Sequence, residues 1–166
     1  NAWSLLQGSP SYVSELPYFQ NREIDMSVGW AVIQVSGGFD LSPIGTGDFS
    51  VEIVLNEVVN TGTFCNYWDF RDGVTQGLAL VRVNGQGTLN VYNNVSPIIT
   101  GTTDVLTDAG PHFVQVVRES GVLYLYVDGV DNGSVAYTVD LTESFVLTIG
   151  RTYTNAKYAS CKFSNF

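Results

Sequence analysis

Two stretches of this chain carry residue types whose spacing could do chemistry. The first is QNREIDMSVGW, residues 20–30. Alternate side chains of an extended strand share a face, so Glu23 and Asp25 would stand together across Ile24. Two carboxylates flanking a glycosidic bond, about 5–5.5 Å apart in a retaining mechanism, are what its acid-assisted cleavage needs. The second is FCNYWDFRDG, residues 64–73. Tyr67 and Trp68 supply flat apolar rings, while Asp69, Arg71 and Asp72 supply hydrogen-bonding groups. Stacking surface combined with a few placed polar groups is what holds a sugar. GRTYTNAKY, residues 150–158, repeats the mixture with Arg151, Tyr153 and Asn155. A plainer reading stays open for the second stretch: Tyr67 and Trp68 alternate into a core, and Asp69 and Asp72 make a turn.

Other chemistries find less support. His112 is the sole histidine, which excludes multi-histidine zinc sites, and packing at a strand start is its plainer role. No nucleophile-elbow serine or phosphate-cradling glycine loop is present. Calcium is the metal to consider, because Asp69, Asp72, Asp104, Asp108, Asp128, Asp131 and Asn132 offer oxygens, with Asp69 and Asp72 the first candidates. The ion takes about 6–8 oxygens from several loops, and the same residues are common in turns. Cys65 and Cys161 have neither metal nor redox spacing. They form one long-range disulfide or remain two buried thiols. Asn94-Val95-Ser96 and Asn132-Gly133-Ser134 are acceptor sequons that matter only in a glycosylating host.

The elements that must position these residues are strands. FSVEIVLN places Phe49, Val51, Ile53 and Leu55 on one face and Ser50, Glu52 and Asn56 on the other. VLYLYVDG sets Leu123, Leu125 and Val127 opposite Tyr124 and Tyr126, and FVLTIG sets Phe145, Leu147 and Ile149 against Thr148. Period-2 alternation of this kind marks half-buried strands. VNGQG, ESG and DGVDNG fall between such runs, the last expected to supply two reversals, since Asn-Gly and Asp-Gly tolerate the positive φ of tight hairpins. No amphipathic helix, repeat or low-complexity tract interrupts the pattern. Short strands at even spacing predict an all-β fold, a two-sheet antiparallel β-sandwich of jelly-roll type.

The bulk numbers agree. The 166 residues, 45% of them hydrophobic, suit a single domain with a core. The first 25 residues are the least regular and read as an N-terminal arm or first strand. A net charge of −9 with only 7 Lys+Arg argues against nucleic acid and anionic membranes as partners. No apolar run approaches the ~20 residues of a membrane-spanning helix, so no membrane insertion is expected. No basic stretch followed by an apolar run opens the chain, and CKFSNF closes it on an apparent strand. The expectation is a domain excised from a longer protein.

GPHFVQVVRESGVLYLYVDGVDNGSVAYTVDLTESFVLTIGR, residues 110–151, resembles the laminin G-like, or concanavalin A-like, lectin jelly roll. In that family a His-x-Val-x-Val strand turns into a Leu-x-Leu-Tyr-Val-Asp-Gly strand, and a Leu-x-Ile-Gly strand follows. Here these are His112–Val116, Leu123–Gly129 and Leu147–Gly150. FDLSPIGTGDFSVEIVLN, residues 39–56, is similar to the family's earlier Asp-Phe-Thr-Ile-Glu strand, so the resemblance covers about residues 39–166. Two positions depart from the pattern: Pro111 stands where the family has Trp, and YASCKFSNF lacks the family's late glycine. Glucanases of this superfamily carry a third acid after Glu-x-Asp. Here that place falls at Ser27 or Val28, ahead of nearly all the strands, so catalysis is not expected and Glu23 and Asp25 read as solvent-facing residues of an arm or edge strand. The resemblance implies a non-catalytic, lectin-like recognition or adhesion module of an extracellular or virion-surface protein. Its partner would be a glycan or a host or partner protein surface. The second reading is a structural decoration or spacer domain that docks on neighbouring subunits as a homo-oligomer or in a larger assembly, as in a viral fibre or capsid. A glucanase-type hydrolase is third.

Overall fold

The computed structural model describes residues 3–8, 11–12, 24–25, 31–35, 39–40, 44–56, 65–71, 77–83, 86–105, 111–141, 144–145, 148–150 and 162–164. Among them no helix occurs, and none is long and apolar enough to cross a membrane. The strands in chain order are β1 (Trp3–Gly8), β2 (Ser11–Tyr12), β3 (Ile24–Asp25), β4 (Ala31–Val35), β5 (Phe39–Asp40), β6 (Phe49–Asn56), β7 (Cys65–Asp69) and β8 (Leu78–Arg82). They continue with β9 (Thr88–Asn93), β10 (Ser96–Asp104), β11 (His112–Glu119), β12 (Val122–Val127), β13 (Val130–Ala136), β14 (Ser144–Phe145), β15 (Thr148–Ile149) and β16 (Lys162–Ser164).

Two antiparallel sheets make a β-sandwich of jelly-roll type. One runs β1-β4-β15-β7-β8-β9-β10 and the other β13-β12-β11-β6-β16-β3-β2. A small ribbon pairs β14 with β5. The second sheet follows the sequence pattern closely. Ile53, Leu55, Val114, Val116, Leu123, Leu125 and Val127 point inward and are buried, with Phe49 and Val51 packed against them. Leu80, Leu89, Val91 and Ile149 of the first sheet belong to the same core. A buried Leu or Ile side chain contributes about 1.5–3 kcal/mol by leaving water, so these alternating positions hold the layers together.

Two of the hairpin turns are as the sequence predicts. Ser120 and Gly121 have φ of 50° and 78°, and Asp128 and Gly129 have 53° and 77°. Positive φ at both central residues is the turn whose twist matches the flanking strands. Three expectations change. DGVDNG makes one reversal, not two: β13 continues through Asn132-Gly133, where its register against β12 slips between Tyr124 and Tyr126 as a bulge. FVLTIG is not one strand, because β14 joins the small ribbon and β15 joins the first sheet. β1 forms the edge of the first sheet, and β2 and β3 complete the second. The strand holding Asp25 is paired on both sides, by β16 and by β2, and is therefore not an edge.

Candidate functional site

The stretch read first as a sugar site lies mid-sheet. β7 is flanked by β15 and β8. All five residues of β7 and all five of β8 are buried, as happens where both faces of a sheet are covered. Tyr67 and Trp68 are each 0% exposed. They present no ring to solvent, and Trp68 instead stacks on Phe70 at 5.2 Å. Of the two readings of this segment, the core reading describes its aromatics.

The polar residues beside them serve each other. Arg71 donates Nη2 to Asp69 Oδ2 at 2.6 Å and both Nε and its backbone N–H to Asp69 Oδ1 at 2.9 Å. Its Nη1 donates to the Asn94 carbonyl at 2.6 Å, and its guanidinium lies 5.8 Å from the Tyr92 ring centre. Asn66 also donates to Asp69 Oδ2, at 3.4 Å. A forked ion pair of this kind is shielded from water and ties the end of β7 to the β9–β10 turn. Asp69 does not fit a calcium ligand, because both its oxygens already face cationic or amide donors. Among the described residues no three His, Cys, Asp or Glu side chains gather as a metal would need. Asp131 accepts from the Gly133 N–H two residues on, and Asp128, in the β12–β13 turn, is bonded to His112 at the start of β11.

The described ends of the two sugar-site stretches meet in the first sheet. Thr148 lies opposite Asp69 and Ile149 opposite Trp68, and the Gly150 N–H donates to the Tyr67 carbonyl. The strands are antiparallel, so the chain leaves Gly150 at one end of the pair and leaves Asp69 toward Arg71 at the other. Asp72, Arg151, Tyr153, Asn155, Asp108, Glu23 and Cys161 lie outside the described residues. The pairing of Cys65 with Cys161 therefore also lies outside the described residues. Cys65 itself is buried, and its Sγ takes a bond from Arg82 Nη2 at 3.0 Å.

Among the described residues, the outer face of the second sheet is open to solvent. Register builds it in rows. Glu52, Gln115, Tyr126 and Asp131 oppose one another across β6, β11, β12 and β13. Ser50, Val117, Tyr124 and Ser134 form the next row. Tyr124 and Tyr126 are half-buried, and their rings lie 5.8 Å apart with planes 16° from parallel. Gln115 Nε2 donates to Glu52 Oε1 at 2.9 Å, and Ser50 donates to the same oxygen at 3.1 Å. An aromatic pair bordered by an amide, a hydroxyl and carboxylates on an open sheet has the make-up of a polar-ligand platform. Its signal in the sequence is the alternation of Tyr124 and Tyr126 with three core residues. The rows themselves needed the register.

Around this face the scaffold is fixed by buried polar groups. His112 sits at the start of β11, 4% exposed, with Nδ1 2.7 Å from Asp128 Oδ2. Burial would raise the Asp128 pKa, but bonds from His112 and the Phe113 N–H, with the His112 charge, hold it below the usual 3.8. Arg118, fully buried, donates to the Gly45, Gly47 and Val139 carbonyls at 2.7 Å each, and its guanidinium lies 4.9 Å from the Phe49 ring centre. Desolvation lowers its pKa against the opposing pull of Tyr137, Asp48 and Asp140. Tyr137 is pushed up to about 12 by burial, with Arg118 pulling the other way. Asn132 is 2% exposed and bonded through both ends of its amide, so the folded module has no room for a glycan there.

The match of residues 34–166 to the family model of the concanavalin A-like lectin/glucanase superfamily, of the laminin G group, decides the relationship. The chain belongs to that superfamily. Among solved structures it is similar to domain 4 of AbnA, a GH43 extracellular arabinanase from Geobacillus stearothermophilus, described in complex with arabinotriose. The TM-score is 0.71 at 13% identity, over 98% of this chain and 82% of that one. It is also similar to the carbohydrate binding module CBM66 from Bacillus subtilis, with TM-score 0.57 and 12% identity over 98% and 90% of the two chains. A third is the mouse laminin alpha1 chain, domains LG4-5, with TM-score 0.57 and 15% identity over 84% of this chain and 38% of that one. At these identities the superfamily member shares a fold with them and nothing finer. A comparison with curated protein sequences gives no match.

Proposed function

We propose that this superfamily member is a non-catalytic recognition module that binds a glycan through the outer face of its second sheet, in an extracellular or virion-surface protein. The observation that carries the reading is the Tyr124–Tyr126 pair set in rows with Glu52, Gln115 and Asp131 on a solvent-facing sheet. The similarity to a carbohydrate binding module and to an arabinanase domain described with arabinotriose supports it. The non-catalytic part rests on the sequence, where Ser27 and Val28 stand in place of the third acid that the superfamily's glucanases use.

A second reading, docking onto a protein surface or a neighbouring copy, has Phe113 and Val130 in its favour, 38% and 61% exposed. A glycan-array screen run in calcium and repeated in EDTA separates the possibilities. Binding in both conditions is the expected result. Binding lost in EDTA would move the site to metal-holding loops. No binding by folded protein would leave the docking reading.

A further inference from the structure

We infer that the ligand of the tyrosine face is an uncharged saccharide, and that the face discriminates against anionic glycans. The inference rests on the recognition reading above and narrows its ligand class. Among the described residues, the charged side chains near Tyr124 and Tyr126 are all acidic. Glu52 and Asp131 end the row that contains Tyr126, and Glu119 is exposed two residues along β11 from Val117 in the neighbouring row. Asp128 and Asp48 are exposed at the two ends of the same group of strands, Asp48 held there by the Ser120 N–H.

No arginine among the described residues offsets them. Arg118 is on β11 itself, yet it points inward and gives its guanidinium to three carbonyls. Arg71 and Arg82 are buried in the first sheet's layer, bonded to Asp69 and Cys65 respectively. The Tyr126 hydroxyl pKa is raised, by desolvation first and then by Asp131, Tyr124 and Glu119, in the direction that a negative surroundings gives. A uronate or sulfate ester laid on the rings would sit within a Debye length, about 10 Å at 0.1 M salt, of several carboxylates. Among the described residues it would meet no exposed arginine of this face, and the one described lysine, Lys162, is on β16, three strands from Tyr126. A neutral polyol loses nothing there, and the same carboxylates accept its hydroxyl hydrogens.

The test is an array of matched neutral and acidic glycans, including methyl-esterified and de-esterified forms of one polygalacturonan. It is run with the intact chain and with Tyr124→Ala/Tyr126→Ala. The expected result is binding confined to neutral members, lost in the tyrosine variant, and at least tenfold preference for the neutral form of any backbone bound. Neutralising the border in Glu119→Gln/Asp131→Asn should narrow that ratio several-fold, and so should raising salt from 20 to 500 mM. Acidic members bound as well as neutral ones, with binding still lost in the tyrosine variant, would overturn the inference and leave the recognition reading standing. No binding to any member by folded protein would overturn both.

Discussion

Asn132 accepts, on one side-chain oxygen, the backbone N–H of Thr103 at 2.7 Å, and so joins the edge strand β13 of one sheet to the edge strand β10 of the other. The same oxygen takes the Thr102 N–H at 3.2 Å, and the amide nitrogen returns a bond to the Val130 carbonyl at 3.0 Å. β10 is irregular here, its register against β9 shifting between Thr100 and Asp104. The ladder is interrupted there, and a buried side chain satisfies the N–H groups in its place. Asn132→Ala is therefore expected to lower stability by about 1–3 kcal/mol, the cost of buried donors left without an acceptor. Urea denaturation checks it, and an unchanged midpoint would mean the edges are held elsewhere.

Arg118 is the second such tie. Arg118→Met keeps the length and the apolar stem but leaves the carbonyls of Gly45, Gly47 and Val139 without their donor. The expected loss is about 3–5 kcal/mol, with a lowered urea midpoint. Arg118→Lys should recover only part of it, because one ammonium cannot reproduce the three directions of the guanidinium.

For Arg71 the expectation separates stability from binding. Arg71→Ala strands the buried Asp69 carboxylate, at about 3–5 kcal/mol by unfolding measurements. Because Arg71 adjoins the opposite sheet from Tyr124 and Tyr126, glycan affinity of the folded variant should stay within twofold. A selective loss of affinity would return the site to residues 64–73.

The Asp128–His112 pair gives a pH dependence with a definite sign. A carboxyl whose folded pKa is depressed contributes stability that is present above its unfolded value, near 3.8, and lost as pH falls through the folded value. Asp128→Asn suits the positive φ of the turn and does not titrate. The wild type's advantage over it, no more than about 1 kcal/mol for a side chain 48% exposed, should be present at pH 5 and close as pH falls below about 4. Paired urea titrations over that range check it, and a gap that widens in acid would reverse the assignment.

The second sheet was legible in the sequence because its strands bury one face. Phe49, Val51, Ile53 and Leu55, and then Leu123, Leu125 and Val127, announce period 2 and point where the alternation says. β7 and β8 misled for the opposite reason. A strand buried on both faces has no alternation to read, so an aromatic–acid–arginine run there resembles an exposed binding loop. Tyr124 and Tyr126 were visible as one face, but not as a platform. Which residues share their rows depends on the pairing of β12 with β11 and β13 and of β11 with β6, up to 74 positions away in the case of Glu52 and Tyr126. The bulge at Asn132-Gly133 reads locally as a turn, and only its partner strand makes it a bulge.

The measurement that bears most directly on the central claim is calorimetric titration of the intact chain and of Tyr124→Ala/Tyr126→Ala with a neutral oligosaccharide positive on the array. Circular dichroism and the urea midpoint serve as controls for folding. The account predicts a folded variant whose affinity falls at least thirtyfold, about 2 kcal/mol or more, as for the truncation of a central aromatic contact. Equal affinity in the two proteins would contradict it and place recognition off the outer face of the second sheet.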